Sequence, residues 1–359
     1  MKKIGIITIN DFNNYGNRVQ CYAVQEKLKE LNFIVENIYN VNKKKMFISN
    51  IKRKIKKLLN YNNARELDKR SERFKEFNKN IKFSNRKIIN GKTNKNLNKE
   101  YNFFVVGSDQ VWNPNFNTTS DADFLTFASD NKKIALSASF GISELPKNVV
   151  KDYKEKLNKF KKISVREEAG KKIIEQITDR TDVEVLIDPT MLLDEREWAK
   201  VSKRPEQLDR IKKDKYILNY FLGELSEKRK KEIERIAKEN NCHIINILDK
   251  NDPFYITGPS EFLYLEKNAF LICTDSFHSS VFAILFNRPF VVFNREDNHV
   301  NMNSRIDTLL SKFKLENRKY NGKEITKENL KHDYTEAYKI LEKERKKSEE
   351  FLKKAFDIE

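Results

Sequence analysis

The chain has 359 residues, 38% hydrophobic and 35% charged, with 25 Phe, 13 Tyr and a formal net charge of +18. That length suits two domains of ordinary size, and that apolar content is enough to build real cores, which excludes wholesale disorder. The cysteines Cys21, Cys242 and Cys273 lie far apart, none with a second at metal-ligand spacing, which excludes a disulfide framework and implies reduced thiols in a reducing compartment.

Short apolar runs alternate with helical patterns, as expected of a parallel sheet with crossover helices. Lys3–Thr8 reads as a strand, and Arg18–Leu31, with Val19, Tyr22, Ala23, Leu28 and Leu31 near helical period, as a helix. Ile34–Ile38 is the next strand. Residues 43–98 read as a basic helical insertion, polar and helical above all over Met46–Asn80. The α/β pattern resumes with strands Asn102–Val106, Lys133–Ser139, Lys162–Val165 and Val183–Ile187, and helices near Asn148–Phe160 and Glu167–Ile177.

After the charged stretch Lys200–Asp214 a second series begins, with strands Tyr216–Phe221, His243–Leu248, Phe270–Cys273 and Phe290–Phe293. Its helices fall near Ser226–Asn240, Pro259–Lys267, Phe277–Phe286 and Arg305–Phe313. The expected organisation is α/β, with one Rossmann-like domain over 1–190 and a second over 191–322. A long charged C-terminal helix within 323–359 is expected to pack back on the first domain.

The apolar stretch after Met1-Lys2-Lys3 stops at Asn10-Asp11, too short for the core of a signal peptide. No segment approaches the roughly 18 apolar residues that span a bilayer. A cytoplasmic location is therefore expected. Lys, Asn and Ile dominate throughout, so the positive charge reads as compositional, and no nucleic-acid partner is expected. One stretch stands apart: Lys43, Lys44, Lys45, Lys52, Arg53, Lys54, Lys56 and Lys57 occur with no acidic residue between them. Phe47, Ile48, Ile51, Ile55, Leu58 and Leu59 recur among them at helical spacing. A basic amphipathic helix over about 43–61 suits an anionic membrane surface at the inner face, or else docks its apolar stripe on the first domain.

Four constellations sit where strands end, the edge at which doubly wound sheets bind ligands. Asn13-Asn14-Tyr15-Gly16-Asn17-Arg18 opens the first helix, whose start offers free N–H groups to an anion; the ordinary alternative is a polar turn with Asn17 as N-cap. Val105-Val106-Gly107-Ser108-Asp109-Gln110-Val111-Trp112-Asn113 brings a carboxylate, an amide and an indole to the edge, the groups that grip sugar hydroxyls and stack on sugar rings; the ordinary alternative is an N-cap followed by a core tryptophan. Arg166, in Ser164-Val165-Arg166-Glu167-Glu168, has a fork suited to a carboxylate or phosphate, or to a neighbouring Glu. Cys273-Thr274-Asp275-Ser276-Phe277-His278-Ser279-Ser280 puts a carboxylate, hydroxyls and an imidazole at the mouth of the second domain. Neither GxGxxG nor GxxxxGK[ST] occurs, so a dinucleotide or P-loop site has no support.

In this order, together with Ile187-Asp188-Pro189-Thr190 and Arg288-Pro289-Phe290, these motifs resemble the polysaccharide pyruvyltransferase family from about Ile4 to about Leu315. The resemblance implies two Rossmann-like domains facing across a cleft (GT-B-like). It implies transfer of a pyruvyl group from phosphoenolpyruvate, as co-substrate, to a sugar of a cell-surface polysaccharide or its lipid-linked oligosaccharide precursor. No metal or other cofactor is implied.

Arg166 would match the family's donor arginine, with Ser276, Ser279 and Arg305 beside the donor. His278 would be the acid, and Asp109 or Asp275 the base. Asn14, Tyr15, Asn17, Arg18, Gln110 and Trp112 are the expected acceptor contacts. The chain departs from the family pattern in having Ser276 where a second donor arginine stands two residues before the histidine, and Ser279 where Gly is common; Arg305 or Arg295 is expected to supply the missing cation. The competing readings are a nucleotide-sugar glycosyltransferase, with Gly258-Pro259-Ser260-Glu261 gripping ribose, and a non-catalytic carbohydrate- or nucleic-acid-binding protein.

Overall fold

The computed structural model describes residues 1–9, 13–41, 61–90, 93, 96–116, 119–213, 215–295 and 304–358. The chain forms two compact units: Met1–Tyr61, Asn78–Leu193 and Lys343–Glu359 make the first, Asn62–Phe77 and Asp194–Glu342 the second. Both are α/β, each built on one parallel sheet in the Rossmann manner.

The first unit carries β1 (Lys3–Ile7), α1 (Tyr15–Glu30), β2 (Ile34–Val41), β3 (Phe83–Ile89), α3 (Leu97–Glu100), β4 (Phe103–Val106), β5 (Lys133–Ala138), α4 (Val150–Leu157), β6 (Lys162–Val165), α5 (Glu168–Ile177) and β7 (Glu184–Val185). Its strands run in the order β3-β2-β1-β4-β5-β6-β7. The central strands are apolar on both faces because both are covered, as parallel sheets require. Ile7, Phe104 and Val106 point into one core with Trp112, Phe140 and Ile163. Ile4, Ile6 and Val105 point into the other with Val24, Leu28, Phe351, Leu352 and Phe356. The last three lie in the terminal helix α11 (Thr335–Phe356), whose apolar stripe closes that face.

The second unit contains α2 (Tyr61–Phe77), α6 (Glu195–Ala199), β8 (Lys215–Tyr220), α7 (Glu227–Glu239), β9 (Cys242–Asn246), α8 (Pro259–Asn268), β10 (Leu271–Thr274), α9 (Phe277–Leu285), β11 (Phe290–Val292) and α10 (Ser304–Lys312). Its sheet runs β11-β10-β8-β9. Ile217, Cys273 and Val291 on one face meet Ile233, Ile236 and Ala237 of α7.

The expected helical insertion over 43–98 needs correcting in its second half. Phe83–Ile89 is a strand, β3, at the edge of the first sheet. Its middle residues Asn85, Arg86 and Lys87 are exposed, so it lacks the apolar run that marks a covered strand, and charged edges resist further pairing. Helix α2 belongs to the second unit: Arg70, 4% exposed, donates to the carbonyls of Tyr255 (2.7 Å) and Thr257 (3.4 Å). The basic stretch expected over about 43–61 lies, but for Tyr61, outside the described residues. Among the described residues no helix is long and apolar enough to cross a membrane. All three cysteines are buried and unpaired with one another.

Candidate functional site

The first sheet reverses strand order between β1 and β4, and the two loops leaving those strands flank this switch point. On one side Asn14 caps α1, its side chain accepting from the Asn17 N–H at 3.1 Å. Asn14, not Asn17, is therefore the N-cap, and the Asn17 amide is left to donate to Asp109 Oδ2. On the other side the chain turns at Gly107 (φ +110), where a Cβ would lie 2.4 Å from the Leu136 carbonyl oxygen. Asp109 follows with φ +69, an uncommon conformation for a residue bearing a side chain.

Behind Asp109 lies a buried ion cluster. Arg166, leaving β6, sets one guanidinium nitrogen 2.7 Å from Asp188 Oδ2 and another 3.4 Å from Asp109 Oδ1. Burial opposes the charge on Arg166, but Asp188, Asp109 and Glu167 outweigh it and hold its pKa above the ordinary arginine value. Asp188 also accepts from the Ser108 hydroxyl (2.9 Å) and, through its other oxygen, from the N–H (3.0 Å) and hydroxyl (2.6 Å) of Thr190. The side chains of Asp188 and Arg166 are 0% and 1% exposed, that of Asp109 10%. Asp109 is the member of the cluster that reaches outward, and Arg166 is committed first to Asp188.

Several expected acceptor contacts are core residues instead. Trp112 is fully buried between Phe124, Phe140 and Phe160, its indole N–H donating to the Asp123 carbonyl at 2.9 Å. Tyr15 and Arg18 are likewise 0% exposed, and Arg18 donates to the Ile9 carbonyl at 3.0 Å. The aromatic and the cation fit a sugar by type, but each points inward and fixes its own loop. Gln110, 7% exposed, accepts from Asn113 at 2.8 Å. It fits there because residue 141 is glycine with φ +66, where a Cβ would fall 1.9 Å from Gln110 Oε1. Asn14 and Asn17 remain at the switch point. Two residues given no site role in the sequence complete it: Asp188, and Gln20, whose amide oxygen accepts from the Ser108 N–H at 3.0 Å. The Asp-Pro-Thr step at a strand end was the only signal for the first, and nothing in helical spacing marks the second.

The second sheet reverses order between β8 and β10. Asp275, just past β10, spans this switch point: its two oxygens accept from the Leu222 (2.7 Å) and Gly223 (2.8 Å) N–H groups of the loop after β8. Arg295 Nε lies 3.5 Å from the same carboxylate. Burial raises the Asp275 pKa, against the two N–H groups and Arg295. Asp275 thereby ties the loops after β8 and β10 together. Ser276 takes the N-cap position of α9 without a side-chain capping bond, and the positive end of a helix dipole favours an anion. His278 lies in that turn, 7% exposed, its ring edge-on to Phe277. Arg305, also 7% exposed, places its guanidinium 6.0 Å from the Phe277 ring, which brings a cation to the start of α9.

Ser279 does not belong with the expected donor contacts. It is 0% exposed and donates to Glu266 Oε1 at 2.6 Å, inside the packing of α9 on α8. Burial lifts the Glu266 carboxyl well above the usual range. Glu261 accepts from the Gly258 N–H at 3.0 Å as the capping partner of α8, so its carboxylate is spent on the helix start that would otherwise have gripped ribose.

Comparison with solved structures returns the same architecture at low identity. The UDP-N-acetylglucosamine 2-epimerase from Rickettsia bellii is similar with a TM-score of 0.54 and 13% identity, over 99% of this chain and 97% of that one. A glycosyltransferase from Rickettsia africae is similar with a TM-score of 0.50 and 12% identity, over 99% and 98%. These likenesses establish a GT-B-type pair of Rossmann-like domains. Comparison with curated proteins gives no match. The polysaccharide pyruvyl transferase family model matches residues 14–298, a span that holds both switch points, Asp109, Arg166 and His278, and the chain belongs to that family.

Proposed function

We propose that this transferase moves the pyruvyl group of phosphoenolpyruvate onto two hydroxyls of a sugar, closing a ketal. The observation that carries the reading is the contrast between its two switch points. The first presents a carboxylate, Asp109, oriented by Asn17 and Arg166. The second presents a helix start with an imidazole and the cations Arg295 and Arg305. A phosphate and a carboxylate on the donor call for the second set, and a hydroxyl losing its proton calls for the first.

In the proposed reaction the donor's methylene carbon takes a proton from solvent and becomes the methyl group, which leaves C2 electrophilic. One sugar hydroxyl adds to C2 as Asp109 takes its proton, which later returns to solvent. The C2–O bond to phosphate then breaks as His278 gives its proton to the departing phosphate, and the second hydroxyl bonds to the carbon so opened and returns its own proton to His278. Arg166 pairs with Asp188 at 2.7 Å and with Asp109 at 3.4 Å, and so orients the base. No metal or other cofactor takes part in the proposal. The lipid-linked form of the acceptor is also proposed, on the strength of the basic stretch Lys43–Lys57.

Phosphate release from phosphoenolpyruvate, measured over a panel of sugar acceptors, tests the proposal. His278→Ala and Asp109→Asn should each cut kcat by about a hundredfold or more, the usual scale for a lost acid or base. Arg166→Ala should lower kcat because Asp109 loses its partner. Asp275→Asn, which keeps one acceptor for the loop amides, should fall far less than Asp109→Asn. Full activity in His278→Ala, or in Asp109→Asn, removes that residue from the chemistry.

A further inference from the structure

The Asp188–Arg166–Asp109 chain does not end at Asp188. That residue opens a single turn, Pro189–Leu192, which lies against α1. The far end of the turn is held from α11. Arg345 Nε donates to the Met191 carbonyl at 2.8 Å, and a second nitrogen of the same guanidinium donates to the Leu193 carbonyl at 2.9 Å. A planar fork on two carbonyls two residues apart fixes the direction of that backbone, which one ammonium cannot do. Asp188 Oδ1 is tied into the turn by Thr190, so its position relative to Arg166 is set by where the turn sits.

Arg345 is not needed to keep α11 in place. Phe351, Leu352, Ala355 and Phe356 bury the end of that helix in the core, and Lys347 reaches the Val185 carbonyl at 2.9 Å. The guanidinium therefore adds orientation of one turn rather than attachment of one helix.

We propose that Arg345 is a positioning residue for the Asp109 carboxylate, acting through the Pro189–Leu192 turn, Asp188 and Arg166. The proposal rests on Asp109 as the base, and it places a determinant of the reaction rate in the terminal helix, beyond the family-matched residues 14–298.

The test compares Arg345→Ala and Arg345→Lys with Lys347→Ala, which removes a similar cation-to-carbonyl bond two residues along the same helix. Two readouts are taken on each: backbone hydrogen exchange, and kcat with donor KM in the phosphate-release assay. Arg345→Ala should speed exchange at 188–193 and at 107–110, and lower kcat roughly tenfold to a hundredfold with little change in donor KM. Arg345→Lys should recover part of both. Lys347→Ala should leave exchange at 107–110 and kcat as in wild type. Unchanged exchange at 107–110 in Arg345→Ala overturns the proposal, as does an equal loss of kcat in Lys347→Ala. A wild-type protein that releases no phosphate with any acceptor defeats the pyruvyl-transfer reading instead, while the exchange readout still decides whether Arg345 holds Asp109.

Discussion

Asp109 and Asp275 look alike in sequence, each an acid just past a buried strand beside polar neighbours. They differ in what their oxygens meet. Both Asp275 oxygens take backbone N–H groups, whereas Asp109 takes the Asn17 side-chain amide, the Arg166 guanidinium and the Gln110 N–H, and its side chain is 10% exposed against 3% for Asp275. Residue types near a sheet edge were legible in the sequence, and so were the places of Arg166 just past β6 and His278 in the first turn of α9. What spacing alone did not give was direction. Trp112, Tyr15, Arg18 and Ser279 sit at the expected places yet point inward, Trp112 from a loop and the other three from the first turns of α1 and α9. A third acid, Asp123, shows what inward burial costs. It accepts from the Ser120 N–H (2.8 Å) and hydroxyl (2.9 Å), and burial still raises its pKa to about 6. A folded-state pKa above the unfolded value favours the folded protein while the group is protonated, and that contribution is lost as pH rises through about 6. Asp123→Asn should therefore gain on wild type by something like 2 kcal/mol between pH 4.5 and pH 7.5 in denaturant unfolding. A constant difference across that range would mean the acid is not paying a burial cost there.

At the scale of elements, the covered strands β1, β4, β5, β8 and β10 were legible because they are almost wholly buried and their runs are mostly apolar. The edge strand β3 was not, since Asn85, Arg86 and Lys87 interrupt it. The allegiance of α2 was also hidden, for it lies between segments of the first unit in sequence but belongs to the second. Its attachment there depends on Arg70, which meets two carbonyls and stacks on the rings of Phe74 (5.1 Å) and Tyr255 (5.0 Å). Arg73, one turn on, has only 3.5 Å ion pairs with Glu76, Glu206 and Glu261 and is more exposed. Arg70→Ala should cost about 3 kcal/mol in chemical denaturation, since it strands buried carbonyls and removes two cation–π contacts. Arg73→Ala should cost less than about 1 kcal/mol. Equal losses would place the attachment of α2 elsewhere.

For the whole molecule, the formal charge of +18 is spread widely, but Lys43–Lys57 holds eight cations with no acid among them, interleaved with apolar residues at helical spacing. Outside the described residues, this stretch is argued from sequence alone. A lipid-linked acceptor would have to be met at an anionic bilayer, where each Lys or Arg near the surface contributes about 1 kcal/mol and salt screens the effect. Flotation with phosphatidylcholine vesicles, with and without phosphatidylglycerol, measures it. Wild type should float only with the anionic vesicles and be released by about 0.5 M salt, beyond the range of surface attraction. The variant with Lys52, Arg53, Lys54, Lys56 and Lys57 replaced by Gln should stay with the bulk solution while releasing phosphate normally with a soluble acceptor. Equal recovery of wild type with neutral and anionic vesicles would instead fit a stripe docked on its own domain, with the lysines solvated, and would remove the argument for a lipid-linked acceptor.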